Sequence, residues 1–182
     1  MSTVTHLSPE QINSVRKFLK TYYYSQVIQD IVDAGFQLPL RISDLRKIKF
    51  SDIKNGRLFF KATKTGKTQV LSLNSKFLAI VEKRSALGDE YVFQSQSNRA
   101  KRMKSPITSS AVYAAMTCAG ESLKLNIGTH TFRKSWGAAV YAKTNDLGLV
   151  QKALQHGSSS QTLRYIGVDQ EKMDGITSSF EL

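Results

Sequence analysis

A mostly helical α+β fold with one small antiparallel three-stranded sheet is what this sequence predicts, and three observations predict it. Apolar residues recur at helical spacing over most of the chain, with polar capping residues where the runs begin. Turn-punctuated segments suited to strands are confined to residues 50–73. The 182 residues, 41% hydrophobic and 9% aromatic, suit a single domain (1–182) with a substantial core, and they show no internal repeat or linker.

The first helix starts at Ser8-Pro9-Glu10-Gln11, where Ser8 can cap, Pro9 fits the first turn and Gln11 can complete a capping box. Ile12, Val15, Phe18 and Leu19 give it an apolar face, followed by Tyr22 to Tyr24. A second helix covers 26–33 and ends near Gly35. After Leu38-Pro39 a short helix covers 42–48, with Arg41 at its start. Strands follow at 50–53, 58–63 and 68–73. Asn55-Gly56 marks one hairpin turn, because both residue types tolerate positive φ, and Lys64-Thr65-Gly66-Lys67 marks the next. Asn74 caps a helix to Ser85, and the polar, basic stretch 95–106 (SQSNRAKRMKSP) reads as a loop. The rest is helical: Thr108 caps 109–121, Thr129 caps 130–141 and Asp146 opens 147–155. Ser158 to Ser160 start a helix containing Tyr165, and Asp169 opens a last one at 171–176.

Lys plus Arg number 26 against 14 Asp plus Glu, a formal net charge of +12. Such a surplus favours a polyanionic partner, because each phosphate neutralised releases condensed counterions. A single cysteine, Cys118, excludes an internal disulfide and suits a reducing compartment, and its apolar helical run AVYAAMTCA places it in the core. No segment has the length of a signal-peptide core or a membrane span, so a soluble, cytoplasmic protein without a membrane partner is expected. No Asp/Glu/His cluster has ligand spacing, and no metal or other cofactor is expected.

The segments LPLRISDL, ATKTGKTQV, GTHTFRKSWG and LQHGSSSQTLRYIG carry Arg41, Lys64, His130 with Arg133, and His156 with Tyr165. Taken singly, each residue has an ordinary role: a packed aromatic, a structural histidine, a surface ion pair, a wet hairpin tip, a chance HxxR pair. Together they supply five cationic or proton-handling groups and one phenol, with no carboxylate pair. That inventory suits attack by an aromatic hydroxyl on a DNA phosphodiester without a metal ion. His130 and Arg133 stand about one turn apart on one helix face, and the turn at Gly157 can fold His156 towards Tyr165.

In this order the six residues closely resemble the tyrosine recombinases (the phage integrase family). The family's pattern is an Arg in an RxSEL-like segment, a hairpin-tip Lys, HxxR, His or Trp, then Tyr nine residues later. Each element has a counterpart: Arg41 in RISDL, Lys64 in KTGK, HTFR, His156 in LQHGS and Tyr165 in LRYIG, with 23 residues from Arg133 to His156. The likeness runs from Ser8 to Tyr165 and is strongest to short integrases made of little more than the catalytic domain. The usual N-terminal clamp domain has no counterpart, and 17 residues follow Tyr165.

The resemblance implies the tyrosine recombinase catalytic-domain fold and a site-specific recombinase supporting integration, excision or inversion of DNA. It implies that Tyr165 attacks the scissile phosphate and becomes joined to the 3′ phosphate. Arg41, Arg133 and His156 would hold the non-bridging oxygens, His130 would take the phenolic proton, and Lys64 would protonate the departing 5′ oxygen, with Lys67 as the alternative. Asp44 would orient a helix end or one of the cations. The partner implied is double-stranded DNA, bound by a homo-tetramer that is a monomer or weak dimer when free, in a bacterial or phage-encoded setting with an accessory DNA-binding protein. Residues 167–182 would contact the neighbouring subunit. Lys67, Arg99, Lys101, Arg102 and Lys104 are candidates for phosphate contacts, and Ser109, Ser110 and Tyr113 for a helix lying along the major groove. Phe132 and Trp136 are expected in the core. Two alternatives remain beside the recombinase: a type IB topoisomerase-like relaxing enzyme and a non-catalytic DNA-binding regulator.

Overall fold

Local chemistry starts most of the helices where the sequence places them. In the computed structural model, which describes residues 5–23 and 25–167, the Ser8 hydroxyl accepts the Gln11 N–H at 3.3 Å and the Gln11 side chain accepts the Ser8 N–H at 2.9 Å. This capping box opens α1 (Pro9–Tyr22), and α2 (Gln26–Gly35) packs against it. The helix expected at 171–176 and the tail beyond Gly167 lie outside the described residues.

After α2 the chain turns through Pro39 into α3 (Ile42–Leu45), shorter than the expected 42–48. Beyond Leu45 the backbone tightens to i→i+3 bonds, Lys47 N–H to Asp44 and Ile48 N–H to Leu45, which end the α-helix. The expected strand at 50–53 is instead a 3₁₀ turn over Phe50–Asp52, closed by the Asp52 carboxylate accepting the Lys49 N–H at 2.9 Å. The sheet is an antiparallel meander, β1 (Ile53–Lys54), β2 (Arg57–Lys61) and β3 (Thr68–Ser72). Asn55 and Gly56 join β1 to β2 with φ of 49° and 71°, the paired positive values a two-residue hairpin turn requires.

α4 (Ser75–Ser85) is capped by Asn74, which accepts the Phe77 N–H at 2.9 Å. Residues 95–106 are not all loop: Asn98–Met103 form a helix, α5. The Ser97 hydroxyl accepts the Ala100 N–H at 3.2 Å, and the following Arg, Ala, Lys, Arg and Met are strong helix formers that local polarity had masked. The long helices α6 (Ser109–Leu123) and α7 (Thr129–Thr144) follow, then α8 (Leu147–Leu154) and α9 (Ser159–Ile166). α7 begins at Thr129, with Gly128 at the cap position, because the Thr131 hydroxyl reaches back to accept the Gly128 N–H at 3.1 Å. No helix among the described residues is long and apolar enough to cross a membrane.

The core has two parts. The larger joins Val15, Leu19, Ile31, Leu58, Phe77, Met116 and Phe132 from α1, α2, β2, α4, α6 and α7 with Phe93 from the segment between α4 and α5. The smaller is built from Val150, Leu154 and Ile166 with Trp136, Tyr141 and Tyr165 packed around them, so the helix bearing Tyr165 rests on its own platform. Gly137 lets that platform close: a Cβ there would stand 3.1 Å from both Ile166 and Leu154. Cys118 departs from expectation. α6 buries the stripe Val112, Ala115, Met116 and Ala119, and Cys118 falls off that stripe and is exposed.

One buried ion pair braces α2 against α4. Asp30 (4% exposed) accepts from Lys83 at 2.9 Å and from Arg84 (3% exposed) at 3.3 Å, while Arg84 Nε donates to the Val92 carbonyl at 2.6 Å. Without Asp30 the buried Arg84 keeps only Asp89, 3.7 Å away, as a carboxylate partner, and a buried charge that loses its close partner is costly. Asp30→Ala is therefore expected to lower unfolding free energy by about 3–5 kcal/mol, read from the urea midpoint. A loss below about 1 kcal/mol would mean that the pair behaves like a surface bridge.

Candidate active site

Arg133, on the first turns of α7, is the buried centre of the site at 3% exposure. Its Nη1 donates to the Pro39 carbonyl, and its Nη2 donates to the Leu154 carbonyl at 2.6 Å. Pro39 lies two residues before Arg41 and Leu154 two before His156. One planar guanidinium thus ties down the two segments that carry two of the other candidates. His130, one turn earlier on α7, places Nδ1 3.4 Å from the Tyr165 hydroxyl.

His156 emerges from the end of α8, where Gln155 adopts φ of 54° and turns the chain back towards α9. Its ring stands edge-on to Tyr165, with centroids 4.8 Å apart and an interplanar angle of 76°. Its Nδ1 is 3.1 Å from the hydroxyl of Thr162.

Lys64 is exposed at the β2–β3 turn, yet both of its neighbours are tethered. The buried Asp44 carboxylate accepts the Thr63 N–H at 2.9 Å, and the Thr65 hydroxyl donates to the Gln155 side chain at 3.4 Å. Asp44 therefore meets the hairpin that carries Lys64. The Lys64 charge is felt at His130, and Lys67 closes the same turn, its carbonyl accepting the Ala62 N–H at 3.0 Å. Arg41 is partly buried at the start of α3, and its charge bears on His130, Arg133, His156 and Tyr165. The six residues singled out in the sequence thus converge on one site.

Their electrostatics follow from crowding positive charge into a half-dry cleft. Withdrawal from water, followed by the charges of Arg133 and Arg41, holds the His130 imidazole below the usual histidine range. The same three causes in the same order push His156 down to about 4, so it is neutral at pH 7. Burial pushes the Tyr165 phenol up, outweighing the pull of Arg133 and Arg41 towards the phenolate. Without an anion the site holds a protonated phenol and two neutral imidazoles. An incoming phosphate supplies the negative charge that these cations lack.

A cavity of about 550 Å³ opens beside the phenol, lined by His130, Lys134, Ser158, Gln161, Arg164 and Tyr165. Lys134 Nζ lies 5.5 Å from the Tyr165 ring centroid. Sequence reasoning passed over Lys134, although its position four residues after His130 puts it on the same helical face. Thr162, fully buried, was missed as well; its signal is a hydroxyl on the apolar side of a short amphipathic helix. Arg99, Lys101, Arg102 and Lys104 are exposed at α5, Ser110 and Tyr113 are exposed on α6, and Ser109 is partly buried there. None of these seven lines the cavity beside Tyr165. Phe132 is fully buried and Trp136 packs against the smaller core, as expected.

Comparison with known proteins bears on the family and the fold. A model of the phage integrase family matches residues 5–172. The probable integrase/recombinase YoeC of Bacillus subtilis (strain 168) is 33% identical over 172 residues, covering 90% of this chain and 89% of the relative. Among solved structures, the XerA recombinase superposes with a TM-score of 0.73 at 16% identity, covering 100% of this chain and 67% of that one. The lambda integrase catalytic core gives 0.68 at 19% identity, covering 84% and 91%. The XerH site-specific recombinase bound to its palindromic difH substrate gives 0.71 at 20% identity, covering 98% of this chain, which spans only 54% of that one.

Proposed function

Because the chain belongs to the phage integrase family, we propose that it is a site-specific DNA recombinase that cuts and rejoins double-stranded DNA through a covalent 3′-phosphotyrosine intermediate. The observation that carries this reading is the Tyr165 hydroxyl, 3.4 Å from a neutral His130 and beside the buried Arg133.

The phenol is too weak an acid to ionise unaided, so its proton must leave as the new bond forms. Tyr165 Oη attacks phosphorus in line, and His130 Nδ1 takes the proton. The bond to the 5′ oxygen breaks, and Lys64 donates a proton to that oxygen. Lys64 is preferred to Lys67 because both of its neighbours are tethered towards the cleft and its charge reaches His130. Arg41 and the N–H groups of Arg133 not engaged by Pro39 and Leu154 hold the non-bridging oxygens as charge builds there, with His156 as a further donor. The new ester keeps the energy of the old one, so a 5′ hydroxyl from another strand can attack it, release Tyr165 and complete an exchange. Guanidinium and ammonium groups supply the positive charge that this chemistry requires, and no metal enters the proposed sequence.

Residues 1–182 are assigned to one catalytic domain. A tetramer on DNA is proposed because exchange between two sites needs four nucleophiles, with residues 167–182 contacting the neighbouring subunit. The exposed cations of α5, together with Lys67, Ser109, Ser110 and Tyr113, are assigned to DNA outside the cleft. The test is a duplex nicked close to the cleavage point, so that the short downstream fragment bearing the new 5′ hydroxyl diffuses away after attack. A denaturing gel should then show protein covalently joined to the 3′ end. Supercoil relaxation with no exchange between sites would mark a topoisomerase instead, and a regulator would leave no adduct.

A further inference from the structure

Thr162 is fully buried on α9, three residues before Tyr165, and its hydroxyl lies between two polar atoms. His156 Nδ1 is 3.1 Å away, and the Ser158 carbonyl is 3.2 Å away. A hydroxyl carries one proton, so it can donate to only one of them. If it donates to Ser158, its oxygen must accept from Nδ1–H, and a neutral ring then presents a bare lone pair at Nε2. If it donates to Nδ1, the neutral ring carries its hydrogen at Nε2.

The surroundings favour the second arrangement. The Ser158 carbonyl already accepts the Thr162 backbone N–H at 3.3 Å, so it stays satisfied when the hydroxyl turns away. An Nε2 lone pair would also repel a phosphate oxygen, whereas Nε2–H attracts one. We propose that the Thr162 hydroxyl fixes the tautomer of His156, donating its proton to Nδ1 so that Nε2–H is the hydrogen offered to the substrate phosphate. Thr162 is thus a positioning residue, acting through His156 and touching no reacting atom. Neutrality of the ring at working pH makes the tautomer decisive, because an imidazolium would donate from both nitrogens and need no such control. The inference rests on the recombinase reading for its catalytic consequence, but the tautomer itself is a property of the free protein.

Two measurements test it. The chain has three histidines, so long-range ¹H–¹⁵N spectra of ¹⁵N-histidine protein can be assigned with a His156→Ala variant. The expected spectrum places the His156 proton on Nε2 in the unmodified protein and changes its nitrogen shifts in Thr162→Val. Single-turnover cleavage of the nicked duplex should fall roughly tenfold in Thr162→Val at unchanged DNA affinity, and Thr162→Ser, which restores the hydroxyl, should return close to the parental rate. A proton on Nδ1 in the unmodified protein overturns the proposal whatever the cleavage data show. So does parental cleavage by Thr162→Val, or a Thr162→Ser variant as slow as the valine one. If the unmodified protein forms no adduct on any duplex, the recombinase reading fails, and the spectra still decide the tautomer.

Discussion

Tyr165→Phe is expected to abolish covalent capture of DNA while leaving the fold and DNA affinity in place. The ring keeps its edge contact with His156 and its place under Lys134, and what is lost is the hydroxyl's weak bond to His130 and its hydrogen bond with the Arg133 side chain. Stability should therefore move by no more than about 1 kcal/mol. The reaction, by contrast, loses its nucleophile, and adduct formation should fall by roughly 10⁴-fold or more. An adduct that survives in the phenylalanine variant would overturn the mechanism. The same assay carries a pH signature. His130 can take a proton only when unprotonated, and its pKa lies below the ordinary 6.5. At subsaturating DNA the rate reports on the free protein. It should stay level as pH falls past the ordinary histidine value and decline only below it. An acid limb at or above about 6.5 would remove His130 from that role.

The second large effect belongs to Arg133. Arg133→Ala should slow single-turnover cleavage by about 10²–10³-fold through loss of a donor to the phosphate. Unlike the tyrosine variant it should also destabilise the protein, because the Pro39 and Leu154 carbonyls lose their guanidinium donors. Each buried carbonyl left unpaired costs about 1–3 kcal/mol, visible as an earlier urea midpoint. Arg133→Lys should rescue neither property, since one ammonium nitrogen cannot span two carbonyls and a phosphate. Recovery of both by lysine would show that bare charge is enough and that the fork geometry is irrelevant.

Arg133 also shows where a linear reading stops. HTFR announces a cation one turn from a histidine, and nothing more. That two of its N–H groups are committed to residues 94 and 21 positions away in sequence is a product of packing. Asp44 is similar: its place in RISDL suggests a partner nearby, whereas its carboxylate reaches Thr63, 19 residues on, and so fixes the lysine hairpin. The same limit explains the missed elements. α5 was hidden because capping by Ser97 competes with a composition typical of loops, and Cys118 was misplaced because an almost wholly apolar run does not reveal which stripe faces inward.

By itself the sequence determined most of the helix starts, the hairpin turns, the excess of positive charge and the order of the six candidate side chains. Each of these is written within a few neighbouring residues: a hydroxyl that caps a nearby N–H, or an Asn-Gly pair that tolerates positive φ. The tertiary structure alone decided which carbonyls hold Arg133, what ties down the Lys64 turn, and which nitrogen of His156 meets Thr162. Those outcomes depend on atoms brought together only when the two cores close. Burial then biases the phenol and both imidazoles towards their neutral forms, which no local pattern of residues encodes.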